Sequence, residues 1–103
     1  MRKADIYILG ERAGELVEEQ EAKAYRFCYA PDYQGLPVSL TMPVTTEIYH
    51  FDHFPTFLEG LLPEGSQLEG LLRHQKIDQK DYFSQLLAVG GDMVGALTVK
   101  AVA

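Results

Sequence analysis

The sequence predicts an α+β fold: a small, curled, mostly antiparallel sheet with three short helices and a last strand that closes the sheet. Apolar residues alternate with a period of two over the first thirty positions, and from Asp52 they recur with a period near 3.6. A last strand, over residues 94–99, then follows the glycines at positions 90 and 91. Strands followed by helices are typical of α+β domains rather than of alternating βαβ folds. Because 103 residues is the usual size of one domain, we interpret residues 1–103 as a single domain.

The strands are predicted from alternation and from the turn residues between them. The first is expected over residues 5–9, followed by a turn at 10–14, and the second over 15–18. The third, over 24–29, places three aromatic side chains on one face. Residues 36–44 contain two prolines, which cannot donate ladder hydrogen bonds, so only a short or edge strand is expected there.

The helices are predicted from their caps and from apolar stripes at helical spacing. We expect Asp52 to cap the first helix, which ends before Pro63. Ser66 and Glu69 match a capping box that opens the second helix, and Asp78 is expected to cap the third. The predicted stripes are Phe54, Phe57, Leu58, Leu61 and Leu62, then Leu68, Leu71 and Leu72, then Tyr82, Phe83, Leu86 and Leu87.

The glycine-rich segment 90–95 is predicted to end the third helix and to lead into the closing strand, residues 94–99. It does not match a phosphate-binding loop, because the spacing differs and no lysine follows in place. Ser39, Ser66 and Ser84 have no nucleophile signature around them. We therefore predict no catalytic residue, no cofactor-binding residue and no metal site. The pair His50 and His53 leaves a metal-assisted hydrolase as an open alternative.

Charge and cysteine content exclude several classes of partner. A net charge of −6 disfavours nucleic acid and anionic membranes, both of which call for Lys and Arg. Neither sign forms a long block, and the acidic residues 18–21 are interpreted as a solvated hairpin tip. A single cysteine, Cys28, excludes an internal disulfide and fits a reducing compartment. Without a signal peptide or an apolar span, the cytoplasm is the expected location.

One segment between the first two helices could carry recognition. Residues 61–65 form a tight corner with an apolar Leu-Pro pair and a charged Glu64. Two interpretations stay open: a plain corner between helices, or a protruding tip that enters a partner's cleft.

Three ordered stretches of the chain resemble the N-terminal subdomain of HipA-type serine/threonine kinases. Residues 27–33 and 37–43 are similar to the family's F-x-Y … P-L-S-x-x-L-P stretch. Residues 54–65 resemble F-F-x-x-L-L-P-E-G, and residues 83–97 resemble L-L-x-x-x-G-x-D-x-x-G-A-L. The resemblance covers most of the chain and stops where the family's kinase core would begin.

The resemblance implies a HipS-like protein of tripartite HipBST toxin–antitoxin systems, in which this subdomain is a separate chain. Such a protein is expected to bind a HipT/HipA-like kinase in trans and to restrain it as antitoxin, without catalysis of its own. A HipB-like DNA-binding protein is a further possible member of the same complex. The alternatives are an accessory subdomain that supports kinase folding or assembly without inhibition, and the N-terminal piece of a longer kinase acting in cis.

The expected contact with the kinase is the corner, comprising Leu62, Pro63, Glu64, Gly65 and Ser66. Relatives often carry a bulky aromatic directly after L-P-E-G, whereas this chain has Ser66 and no tryptophan. We therefore expect binding to the kinase, and a weaker or displaced inhibitory function.

Overall fold

A computed structural model of the chain describes residues 1–21, 23–62, 65–90 and 96–102. Within these residues, five strands and three helices follow one another along the chain. In order they are β1 Arg2–Ile8, β2 Glu11–Gln20, β3 Ala24–Tyr29, β4 Tyr49–Phe51, α1 Thr56–Glu59, α2 Gly65–Gln75, α3 Tyr82–Val89 and β5 Leu97–Ala101. This confirms the predicted α+β class and the closing strand. No helix in these ranges combines the length and apolar character needed to cross a membrane.

The five strands form one antiparallel sheet in the order β4-β3-β2-β1-β5. A two-residue turn joins β1 to β2, with φ of 52° at Leu9 and 84° at Gly10. Positive φ at both positions is typical of hairpin turns that match the strand twist. The predicted five-residue turn is therefore wrong. Gly14 lies inside β2 beside a bulge, where an added Cβ would lie 2.3 Å from the Cys28 carbonyl oxygen.

The core lies on one face of this sheet, beneath the helices. Side chains from β1, β2, β3 and β5 point to this face, and Leu58 of α1 and Leu86 of α3 are fully buried against it. Aromatic edge-to-face contacts join the strands, for example Phe27 with Tyr29 at 4.9 Å between ring centroids. The remaining buried core residues are Ala4, Ile6, Ile8, Ala13, Leu16, Tyr25, Tyr33, Met42, Phe54, Phe83 and Val99.

Residues 30–48, the β3–β4 loop, contain no strand, so the edge strand predicted over 36–44 is wrong. The loop has only one isolated bridge, between Ser39 and Met42. The edge strand of the sheet is instead β4, where Tyr49 pairs with Phe27. The edge strand does not form over residues 36–44, because the two prolines there have no amide hydrogen to donate to a neighbouring strand.

Each helix begins at a different residue from the one predicted. Pro55, not Asp52, precedes α1, because the chain up to Phe51 is held in β4. Helix α2 begins at Gly65, so Ser66 lies in its first turn instead of capping it. Asp81, not Asp78, caps α3, and its side chain accepts a hydrogen bond from the Ser84 amide.

The predicted closing strand is present and pairs with β1, but it begins three residues later than predicted, at Leu97. The first part of the predicted strand, residues 94 and 95, lies outside the described residues. Gly90 ends α3 against this strand, where an added Cβ would lie 2.3 Å from the Val99 carbonyl oxygen. The described part of the glycine segment therefore serves close packing of the helix on the sheet.

A partly buried ionic cluster joins the sheet to α3, which we call the Arg2 cluster: Arg2, Glu18, Asp81 and Ser84. The Arg2 guanidinium donates to Glu18 at 2.7 Å, to Asp81 at 2.8 Å and to Ser84 at 2.8 Å. It also lies 5.0 Å from the Phe83 ring centroid, within cation–π range. Glu18 is only 4% exposed, so its assignment to a solvated hairpin tip is wrong.

The Arg2 cluster also shifts two pKa values, that of its member Asp81 and that of the neighbouring Tyr25. Burial alone would raise the pKa of Asp81, but hydrogen bonds from Arg2 and Ser84 and the arginine charge outweigh it, and the pKa is lowered. Burial, and then the hydrogen bond to Glu18, raise the pKa of the Tyr25 hydroxyl. Asp81 is therefore held as a carboxylate and Tyr25 as a neutral phenol at neutral pH.

Candidate functional site

The predicted corner lies between α1 and α2, and the structure describes three of its five residues. Leu62 is half-buried and packs against the core. Gly65 and Ser66 are exposed at the start of α2, and Gly65 has a φ of 60°, which favours glycine. Pro63 and Glu64 lie outside the described residues. The corner therefore has an anchored side at Leu62 and a solvent-facing side at Ser66.

Helix α1 anchors the corner on the core. Leu58 is fully buried, and Phe57, Leu61 and Leu62 pack on the same core as half-buried residues. The Leu61 amide donates to the Leu58 carbonyl at 3.0 Å, which tightens the helix end as it approaches the corner. A substitution at Leu62 would consequently disturb packing as well as any partner contact.

Helix α2 is the least buried helix of the described chain, and it contributes no buried residue. Its three leucines at helical spacing, Leu68, Leu71 and Leu72, are half-buried, and none belongs to the core or to the residues packed on it. The predicted stripe on this helix is therefore present but is not core.

The β3–β4 loop is held by tyrosine hydroxyls. The Tyr29 hydroxyl accepts a hydrogen bond from the Val38 amide at 2.9 Å and donates to the Met42 carbonyl. The Met42 amide donates to the Ser39 carbonyl at 3.0 Å, which closes a tight turn. We call residues 38–42 the Leu40 turn. Tyr29 clamps both ends of this turn, because it bonds the residue that enters it and the residue that leaves it.

The Leu40 turn presents its leucine fully to solvent. Leu40 is 99% exposed, and two more apolar residues of the same loop, Leu36 at 61% and Ile48 at 52%, are also exposed. Leu36 and Leu40 were not singled out from the sequence, because both lie in the short strand that was predicted over residues 36–44. A signal was available: loops longer than about 12–15 residues without secondary structure are usually functional or disordered.

An apolar groove of about 300 Å³ runs beside this loop toward α1. Leu36, Val38, Phe57 and Leu61 line it from the loop and the helix, and Ile8 and Leu97 line it from the sheet. All the residues that line the groove are apolar.

The charges of the chain are unevenly distributed, although no charge run is long. Residues 27–72 contain six acidic residues and no lysine or arginine, whereas the other 57 residues contain nine acidic and nine basic residues. The whole net charge of −6 is thus carried by the stretch that includes the β3–β4 loop, α1, the corner and most of α2. We call residues 27–72 the acidic stretch. It would attract a partner surface that is basic.

The candidate metal residues do not form a cluster in the described chain. His50 lies in β4 with its side chain exposed, and the His53 Nδ1 is 2.6 Å from the exposed Asp52 carboxylate. The pKa of Asp52 is lowered by its hydrogen bond with His53. No group of three or more His, Cys, Asp or Glu side chains within residues 1–21, 23–62, 65–90 and 96–102 could hold a metal ion.

Comparison with known proteins gives consistent matches. A family model described as the HipA N-terminal domain matches residues 4–100. An uncharacterized protein of Haemophilus influenzae is 35% identical over 100 residues, which cover 97% of this chain and 92% of that protein. A solved structure described as the N-terminal domain of HipA toxin superposes with a TM-score of 0.77 and 31% identity, covering 100% of this chain and 94% of that one.

Proposed function

Because the chain belongs to the HipA N-terminal domain family, we propose that it is a non-catalytic partner of a HipT/HipA-like kinase toxin. It binds the kinase in trans and restrains it as an antitoxin, in the cytoplasm. A HipB-like DNA-binding protein joins the same complex. The family match supports the HipA-related context. The observation that carries the binding proposal is the acidic stretch, in which apolar residues are exposed and no lysine or arginine is present.

The corner is the proposed contact with the kinase, through Leu62, Pro63, Glu64, Gly65 and Ser66. Its described part supports this, because Leu62 is anchored on the core while Gly65 and Ser66 face solvent. A rigid base with an exposed tip lowers the entropic cost of binding.

A second candidate function is an accessory role, in which the chain supports kinase assembly without blocking the active site. Ser66 favours this candidate, because a small hydroxyl fills less of a cleft than the aromatic residue that relatives often carry there. The two candidates share the binding step and differ in whether kinase activity falls.

Growth rescue separates these candidates. The HipA-family kinase from the same genome is expressed with and without this chain, and complex formation is followed by co-purification. Rescue with co-purification supports the antitoxin role, and co-purification without rescue supports the accessory role. A kinase that never co-purifies with the chain at micromolar concentrations would refute both.

A pair of variants then tests the corner. We expect Ser66→Arg to weaken binding by about tenfold, because it places a cation where a basic partner is expected to dock. Gln75→Arg is the matched control: it adds the same charge to an exposed position at the other end of α2. If the kinase binds the two variants with equal affinity, the contact does not lie at the corner. Ser66→Trp is expected to strengthen rescue if the tip enters the active-site cleft.

A further inference from the structure

We propose that the Leu40 turn and the apolar groove beside it form a second docking surface for the kinase, adjacent to the corner. The occupant is a pocket on the kinase with an apolar floor and a rim of lysine or arginine side chains. Leu40 enters that pocket, while the groove lined by Leu36, Val38, Phe57 and Leu61 receives apolar side chains of its wall. This inference rests on the proposed function.

Leu40 is exposed on a turn whose backbone is held at both ends. A single exposed leucine on a flexible loop is ordinary, since much of a protein surface is apolar. Here the turn is clamped at both ends by the Tyr29 hydroxyl, and Tyr29 is itself buried and stacked on Tyr33 with 5.9 Å between ring centroids. A turn whose backbone is already held loses little backbone conformational entropy when it binds. The turn therefore presents the Leu40 side chain to a partner from a fixed backbone.

Charge determines which occupant fits. The Leu40 turn and three of the four groove residues named above lie in a loop and a helix that carry carboxylates at Asp32, Glu47 and Glu59. All of these segments belong to the acidic stretch, which contains no lysine or arginine. A partner with a basic surface is favoured here, because complementary potentials speed docking and like charges oppose it.

The same charge argument disfavours a second copy of this chain as the occupant. In a symmetric dimer through the Leu40 turn, each acidic stretch would face the other, and both carry a net charge of −6. Like-charge juxtaposition across an interface costs several kcal/mol. A basic partner meets no such repulsion.

The groove is continuous with the corner, which makes one partner sufficient for both surfaces. Phe57 and Leu61 line the groove, and Leu62, the next residue along the chain, begins the corner. A kinase that contacts the corner therefore has the groove beside its contact, and Val38 of the Leu40 turn lines that groove. Two contacts on one rigid surface would strengthen binding without any new partner.

The test measures the affinity of the full chain for the HipA-family kinase by titration calorimetry. Leu40→Asp is expected to raise the dissociation constant by at least about thirty-fold, the size of an interface hot spot. Because Leu40 makes almost no contact with the rest of the chain, its substitution leaves folding intact, as circular dichroism would verify. Val102→Asp, an exposed apolar residue outside the acidic stretch, is the matched control and is expected to bind as the unmodified chain does.

A charge pair tests the cationic rim. Glu47→Lys is expected to weaken binding by about fivefold and to flatten its salt dependence. Glu21→Lys makes the same change in net charge at an exposed position outside the acidic stretch, and it is expected to change affinity less.

The outcomes separate this inference from the proposed function. A kinase that does not bind the unmodified chain would refute the proposed function. A kinase that binds the unmodified chain and Leu40→Asp equally well would overturn this inference alone, and the corner would carry the binding. Concentration-dependent dimers of the isolated chain that disappear with Leu40→Asp would also overturn it, because the occupant would then be a second copy.

Discussion

Removing Arg2 is predicted to destabilise the fold more than any other single loss of charge among the residues described. The guanidinium bonds Glu18, Asp81 and Ser84 and lies over the Phe83 ring, so it connects two strands to α3. Arg2→Ala leaves the Glu18 carboxylate, which is 4% exposed, without its cation. Glu18 keeps a hydrogen bond with Tyr25.

The size of the expected loss in stability depends on how deeply the ion pair of Arg2 is buried. Breaking a buried ion pair by removing one partner costs about 3–5 kcal/mol, and a fully exposed pair is worth about 0–1 kcal/mol. The Arg2 side chain is 34% exposed, so water can replace part of what is lost. We therefore expect Arg2→Ala to lower the free energy of unfolding by about 2–3 kcal/mol, which for a domain of this size lowers Tm by about 10–20 °C.

Urea denaturation followed by circular dichroism measures this loss. The matched control is Arg12→Ala, which removes an exposed contact with Asp5 at 2.9 Å. We expect the control to lose at most about 0.5 kcal/mol, the usual value for a surface pair. If Arg2→Ala loses no more than the control, the cluster behaves as a surface network and this reasoning is refuted.

Three further predictions concern packing, pH and the loop clamp. Gly90→Ala should cost about 1–3 kcal/mol in urea denaturation, because its Cβ would overlap the Val99 carbonyl oxygen, and an unchanged midpoint would contradict the close packing of α3 on β5. Because the pKa of Asp81 is lowered by folding, its contribution is complete above the unfolded value of about 3.9 and is lost as the pH falls through the folded value. Asp81→Asn should therefore flatten the acid side of the stability curve, and an identical acid limb would contradict the assignment. Tyr29→Phe should cost about 1–2 kcal/mol and speed hydrogen exchange at the Val38 amide, whereas unchanged exchange would show that the hydroxyl does not clamp the turn.

Local signals predicted part of this fold, and non-local contacts decided the rest. Strand β3 was predicted with its observed bounds, Ala24–Tyr29, because its aromatic alternation is strong and is bounded by turn residues. The start of α1 was wrong because pairing of β4 with β3 holds the chain up to Phe51, which helix-cap preferences cannot reveal. The Arg2 cluster joins residues 16 and 79 positions apart, a distance at which no sequence pattern operates.

In the candidate site, too, local sequence signals predicted one part, and non-local contacts decided another. The corner was predicted from its Leu-Pro pair between two helical patterns, and Leu62, Gly65 and Ser66 lie at the junction of α1 and α2, whereas their contact with a kinase stays a prediction. The Leu40 turn was missed because its exposure depends on a hydrogen bond between Tyr29 and Met42, thirteen positions apart. The absence of lysine and arginine over residues 27–72 was visible in the sequence, but its importance emerged only when the exposed apolar residues were located on the same stretch.

The most direct test of the central claim is the affinity of this chain for the HipA-family kinase from the same genome, measured at two salt concentrations. We expect a complex with a micromolar or lower dissociation constant. Its affinity should fall as the salt concentration rises, because the acidic stretch meets a basic surface. No binding at tens of micromolar would contradict the claim that this chain is a kinase partner. Tight binding without salt dependence would contradict the claim that the acidic stretch forms the interface.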